Sequence, residues 1–497
     1  MALSLTFNKL LPLFLGGCLM VFLIIYLPAE CGNTNTIGII KNTPASFDGY
    51  TLFTANKLTY LIDNCGNVMN KWTSDYQPGH SVYLLEDGSI LRAGKITNDH
   101  FDNGGLGGRI EKKDWDDNLI WEYTYSDSLV SQHHDIFPMP NGNILLLTLT
   151  RKFKDECIAA GRKPENLADG ELYNERILEI RPAGKGAEIV WQWDAWDHLI
   201  QDTDSSKENY GNVANNPQLL NINYLGLSGG KANWIHFNSI YYNPRLDEIV
   251  LASRQLNEIY VIDHSTTTAQ AASQKGGRRG KGGDILYRWG NPAAWNRGTK
   301  ADQQLFGPHA AYWIPEGYPD AGNIMIFNNG TGRDTLYSSV EIIAPPDSGF
   351  GDYHFTADNQ GFGPSRQYFT YKNHQDPMAF FSMILSNAQR LPNGNTLINE
   401  GTKGRFFEVD PNGDIVWEYI NPDTPEGILR QGDPRPNSNN IFRAFRYSKD
   451  YEAFRNRKLV SKGPIEPGSN AECCFHDKRY YLYYFQRLKF ALNMLMD

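Results

Sequence analysis

A repeat constrains this chain more than any other feature. An extended apolar segment runs into a glycine turn and a second strand in His80-Ser-Val-Tyr-Leu-Leu-Glu-Asp-Gly88, His134-Asp-Ile-Phe-Pro-Met-Pro-Asn-Gly142 and Ser386-Asn-Ala-Gln-Arg-Leu-Pro-Asn-Gly394. Eight positions separate the first residue from the glycine each time, and looser copies begin at His236 and His309. A second pattern ends a strand in an aromatic pair: Asp117-Asn-Leu-Ile-Trp121-Glu-Tyr, Ala187-Glu-Ile-Val-Trp191-Gln-Trp, Gly283-Asp-Ile-Leu-Tyr287-Arg-Trp and Gly413-Asp-Ile-Val-Trp417-Glu-Tyr, with a weaker copy ending at Trp72. Asn-Gly and Asp-Gly between alternating apolar residues are strong hairpin signals. Each unit therefore carries about four strands, and six units start near 48, 80, 134, 236, 309 and 386. One such sheet cannot bury both its faces alone, so the units must stack around an axis. The expectation is an all-β fold, a six-bladed β-propeller, with the Trp/Tyr pairs packing blade against blade. A seven-bladed ring is the nearest rival, because residues 440–460 offer a further strand.

The ends differ from the repeat. Leu10 to Leu27 is uncharged and apolar, follows Lys9, and leads into Ala29-Glu30-Cys31. Residues 1–31 read as a signal peptide, or as an N-terminal membrane anchor given the length of the apolar run. Either way the bulk of the chain is expected outside the cytoplasm, periplasmic or extracellular. Residues 32–460 form the propeller. Residues 461–497 are a linker and an amphipathic C-terminal segment, with a short helix from Tyr480 to Met496. In an oxidising compartment Cys65 and Cys157 are candidates for a disulfide, as is one of Cys473 and Cys474. With 47 basic against 56 acidic residues, a net charge of -9 excludes a general nucleic-acid surface. The loop from Lys275 to Gly283 reads as a solvated loop, with anion binding as the alternative. Insertions at 152–172, 194–232, 266–282 and 345–379 are expected over one end of the propeller, shaping access to its channel.

Four successive inner strands start at His80, His134, His236 and His309, and the last starts at Ser386. Equivalent repeat positions form a ring about the axis, so these side chains should converge at one mouth of the channel. His133 and His134 adjoin, so only one is expected to point inward. Two chemistries suit a histidine ring. Imidazoles bind transition metals, but Asp135 is the one adjacent carboxylate, so neither a metal nor another cofactor is expected. Arg254 and Arg333 lie beside the His236 and His309 strands and favour an oxyanion such as sulfate or phosphate, with histidine as nucleophile or acid/base.

The run Trp234-Ile-His-Phe-Asn-Ser, Ser253-Arg254, Tyr287-Arg-Trp-Gly, Gly307-Pro-His309 and Phe327-Asn-Asn-Gly-Thr-Gly-Arg333 resembles the arylsulfotransferase family, as does Ser386-Asn-Ala-Gln-Arg-Leu-Pro-Asn-Gly-Asn-Thr-Leu-Ile. The resemblance covers about 36–423. It implies a six-bladed, exported propeller that moves a sulfuryl group from a phenolic sulfate ester to a phenol without a nucleotide sulfate carrier. It also implies a sulfated histidine intermediate. Carried over by motif, His236 and His309 bind sulfuryl or act as acid/base, and Arg333 is the sulfuryl-binding arginine. His134 joins them as a catalytic candidate, and Arg254, Asn238, Asn329 and His80 are candidates for substrate contact. One departure stands out. The family's nucleophilic histidine belongs beside Ser386, where this chain has none; His374 is the nearest substitute. The alternative reading is a propeller that binds a sulfated or aromatic ligand without turnover.

Overall fold

Alternating apolar segments of three to thirteen residues pair antiparallel with their chain neighbours. In the computed structural model they give six antiparallel sheets arranged as a ring. The structure describes residues 35–346, 351–353, 361–436 and 438–468. The leader and the C-terminal helix expected from the sequence lie outside the described residues.

Blade 2 shows the plain pattern, with strands Pro78–Leu84, Ile90–Lys95, Gly108–Lys113 and Leu119–Thr124 running from axis to rim. Blade 3 (Val130–Pro138, Ile144–Phe153, Glu171–Ala183, Gly186–Asp194), blade 4 (Phe237–Asn243, Glu248–Ser253, Glu258–Asp263, Ile285–Trp289) and blade 5 (His309–Trp313, Ile324–Asn328, Ser339–Ile343, Phe369–Tyr371) repeat it. The ring closes by exchange of both ends. Gly38–Asn42 pairs with Ile415–Ile420 as a fifth, outermost strand of blade 6. Ala444–Ser448 becomes the inner strand of blade 1, pairing Phe53 with Ala444 and Gly49 with Ser448. The strand within 440–460 thus completes the first blade, and the ring has six blades rather than seven.

Six apolar clusters lie between successive blades, one per junction. The rim tryptophans do the expected inter-blade work and also satisfy their indole N–H groups on the next blade. Trp72 donates to Asp114 O, Trp121 to Gly186 O, Trp193 to Gly283 O, Trp289 to Pro364 O, and Trp417 to Asn64 O across the closure.

Two expectations need correction. Cys65 and Cys157 do not pair with each other, and Cys473 and Cys474 lie outside the described residues. Cys157 is wholly buried in the core between blades 3 and 4, and burial pushes its thiol up to about 11. The insertions 152–172 and 194–232 do not lie only over one mouth. Leu199, Leu220 and Ile222 carry enough apolar surface to extend the core outward, and 194–232 folds down the flank of blade 4, where Pro217 O and Leu219 O accept from Arg288. Its neighbour 152–172 packs on it through Lys163 N–H to Asn223 Oδ1. The loop from Lys275 to Gly283 is solvated at Lys275, Arg278 and Lys281, and Arg279 anchors it by pairing with Glu248 at 2.7 Å and donating its N–H to Asp263.

Candidate functional site

The inner strands line the channel in layers. Nearest one mouth, the chain abandons regular strand geometry: φ is +89° at His80, +46° at His134, +56° at His236, +51° at Ala310 and +83° at Ser386. Residues with a Cβ avoid this left-handed region, and such strain concentrates at functional sites. A ladder irregularity accompanies it in blades 2 to 5, between Pro78 and Val82, opposite Leu146 and Thr148, between Phe237 and Ser239, and between His309 and Tyr312. The bulges turn side chains inward that a flat strand would point elsewhere.

The predicted histidines do converge. The His80 ring stacks on His134 at 5.3 Å, and His134 meets His236 edge-on at 4.5 Å. Phe442, from the segment that closes blade 1, packs on His80 at 4.7 Å. His133 meets the His134 ring edge-on at 5.2 Å while its far side faces Glu175. Its Nδ1 lies 2.9 Å from His134 Nδ1, and its Nε2 lies 3.0 Å from Glu175 Oε2. Burial lowers the pKa of all four channel histidines, reinforced by the positive groups around them. His80 falls to about 4 and His309 to about 3. His134 and His236 lie well below the usual range, His236 also through the Arg254 charge. At neutral pH they are uncharged imidazoles.

Hydrogen bonds set which nitrogen of each ring carries the proton. His309 Nδ1 lies 2.7 Å from Asn329 Oδ1, so Nδ1 donates and Nε2 keeps its lone pair. Asn233 Nδ2 donates to His236 Nδ1 at 2.6 Å, so His236 presents Nε2–H. His80 Nε2 faces Gly104 O at 3.4 Å. Two segments roof the cluster, 96–107 and 229–236. In the first, Gly105 O accepts from His134 N–H at 2.7 Å. Gly105 has no side chain for good reason: a Cβ there would stand 1.8 Å from His134 Cε1.

Two arginines face this region differently. Arg443, just before the closing strand, crosses the channel to Asp135 at 2.7 Å and also reaches Tyr83 OH and Asn238 O. Its charge is spent. Arg254 follows the Glu248–Ser253 strand, and its guanidinium makes no hydrogen bond or ion pair among the described residues, with Nε buried and unpartnered. Its field lowers the pKa of both His236 and His309. Neutral donors, neutral lone pairs and one uncompensated guanidinium make a site for an anion.

The remaining candidates are placed as follows. Asn329 is fully engaged, accepting from His309 and donating to Ser382 O and Leu385 O, so it is a strut. Asn238 donates to Pro308 O while its Oδ1 is buried without a partner. Arg333 is not brought into contact with the histidines. It donates to Tyr337 O and Ser339 Oγ, stacks over the Tyr337 ring at 4.0 Å, and lines a separate cleft of about 340 Å³ with His374 and Lys372. Ser386 Oγ is occupied by Ser382 Oγ and Gly401 N–H. Among the described residues, no group of three or more His, Cys, Asp or Glu is arranged to hold a metal ion.

Below the histidines the same strands form a second layer. Tyr83, Phe137, Tyr241, Tyr312 and Phe445 come from five blades and make an aromatic collar, with ring centroids 4.8–5.9 Å apart. The collar borders a cavity of about 160 Å³ at the other end of the channel. Arg443 and Asp135 close the passage between the two layers.

The sequence model for the arylsulfotransferase (ASST) family matches residues 36–426. The chain is 22% identical over 400 residues to the arylsulfate sulfotransferase AssT of Lelliottia amnigena, covering 75% of this chain and 62% of that protein. It is 22% identical over 407 residues to AssT of Escherichia coli, with the same coverage. The chain therefore spans less than two thirds of the length of these relatives. Among solved structures it is similar to the periplasmic gluconolactonase PpgL of Pseudomonas aeruginosa, at 11% identity and a TM-score of 0.38 over 84% of this chain and 97% of that one.

Proposed function

Because the chain belongs to the arylsulfotransferase family, we propose that it is an exported enzyme that transfers a sulfuryl group from a phenolic sulfate ester to a phenolic acceptor. The observation that carries this reading is Arg254, a guanidinium with no partner among the described residues, set beside His236 and His309. An unpaired, largely buried cation is costly unless an anion completes it. Sulfuryl transfer, like phosphoryl transfer, has a loose transition state whose charge spreads over the peripheral oxygens, so positioning and charge stabilisation dominate. Arg254 and His236 Nε2–H supply donors to those oxygens. The neutral Nε2 atoms of His134 and His309 supply lone pairs, and no nucleotide or metal is required by the chemistry.

One feature favours the alternative of a non-catalytic binder: no histidine stands at Ser386, and its hydroxyl is committed internally. The test is release of 4-nitrophenol from 4-nitrophenyl sulfate by purified protein, with and without phenol. The transferase reading predicts phenol-dependent release with stoichiometric phenyl sulfate. Binding of the ester without release at any phenol concentration would leave the binder.

A further inference from the structure

Resting on the transferase reading above, we propose that His134 accepts the sulfuryl group, with His133 and Glu175 as positioning residues that fix its tautomer and hold its proton. The family position beside Ser386 lacks a nucleophile, so the hydrogen bonds of the cluster must say which imidazole replaces it.

Glu175 is buried on the third strand of blade 3, and as a carboxylate it can only accept. Oε1 accepts from Phe237 N–H at 2.8 Å, and Oε2 faces His133 Nε2 at 3.0 Å. His133 therefore carries its proton on Nε2 and turns a lone pair on Nδ1 toward His134, 2.9 Å away. His134 must then donate from Nδ1, which leaves Nε2 deprotonated. That nitrogen makes no hydrogen bond among the described residues, at the centre of the imidazole cluster.

The other imidazoles are less suited. His236 carries its proton on Nε2, because Asn233 donates to Nδ1. His80 directs Nε2 at a carbonyl. His309 also has a free Nε2, but its Nδ1 proton rests on the neutral Asn329 amide, which cannot take it up. Only His134 has a proton path ending on a carboxylate. In the first half-reaction the Nε2 lone pair forms the N–S bond, the S–O bond to the aryl group breaks, and its electron pair leaves with the phenolate. As Nε2 gains the sulfuryl group, the Nδ1 proton moves to His133 Nδ1, and the resulting imidazolium is stabilised by Glu175. In the second half the acceptor phenolate forms the new O–S bond, the N–S pair returns to Nε2, and the proton returns to His134 Nδ1.

The experiment uses the full chain with 4-nitrophenyl sulfate and no acceptor, an alkaline quench, and peptide mass spectrometry. The expected result is one SO₃ on the His133–His134 peptide, with fragmentation placing it on His134, and its loss on chasing with phenol. SO₃ on His309 or His374, or phenol-dependent transfer with no adduct, would overturn the inference while leaving the transferase reading intact. No 4-nitrophenol release would overturn the reading, and the inference with it. Glu175→Gln tests positioning separately. It should lower kcat by about 10²–10⁴-fold, the usual worth of a placed proton acceptor, with KM for the ester little changed and the pH profile of kcat displaced. A merely structural role predicts lower thermal stability with an unchanged pH profile.

Discussion

The two layers of the channel are built by the same blades, three to five residues apart, yet they differ in kind. The collar is at rest. Its rings touch one another, Tyr83 OH donates to Asp135, and Tyr312 OH accepts from Arg390 N–H. The histidine layer keeps strain and unmet capacity: left-handed residues at His80, His134 and His236, a partnerless Arg254, and unpartnered amide oxygens on Asn233 and Asn238. Native interiors leave few buried polar groups unsatisfied, so a concentration of them beside strained backbone marks where a ligand completes the structure. One scaffold position serves packing and its near neighbour serves chemistry.

That contrast can be broken by substitution. Arg254→Met should lower kcat/KM for the sulfate ester by about 10²–10³-fold, the cost of removing one preorganised charge stabiliser, with the melting temperature unchanged or raised. Gly105→Ala should lower transfer by about 10²-fold, since misplacing a reacting group by about 1 Å has that effect, and the added methyl displaces the His134 ring. Tyr241→Ala in the collar should do the reverse. It should cost about 3 kcal/mol of stability, as core aromatic truncations do, while kcat/KM for correctly folded protein stays the same. Chemical denaturation and steady-state kinetics on the same samples read both quantities.

A finer test uses pH. The channel histidines have folded pKa values below the unfolded 6.5, with His80 at about 4 and His309 at about 3. The unfolded chain binds more protons across that interval, so stability falls as pH drops below about 6.5. His264 has the opposite sign. Burial opposes its charge, but Asp247 and Glu179 at 2.8 and 3.0 Å raise its pKa to about 9. Its contribution is complete below 6.5 and is lost as pH rises through about 9. His309→Asn should flatten the acid limb, and His264→Asn the alkaline one, in melting temperature against pH.

The blades and the histidine ring were legible because both are periodic: the Gly88, Gly142 and Gly394 turns set the strands, and His80, His134, His236 and His309 recur with them. What closes the site is not periodic. Phe442 and Arg443 arrive just before a strand supplied from the far end of the chain, and Glu175 reads as an ordinary strand residue until the blade is folded. The roof at Gly105 carries no signal beyond glycine itself. The Cys65–Cys157 pairing fails because a buried thiol and a paired one look alike in sequence.

The central claim is that the histidine end of the channel, completed by Arg254, is the sulfuryl site. Its most direct test compares Arg254→Met with Arg333→Met in phenol-dependent release of 4-nitrophenol. The account predicts collapse of kcat/KM in the first and near-native turnover in the second, whose guanidinium is already engaged by Tyr337 and Ser339. Loss of turnover in Arg333→Met with Arg254→Met unaffected would contradict it and move the site to the cleft that Arg333 shares with His374.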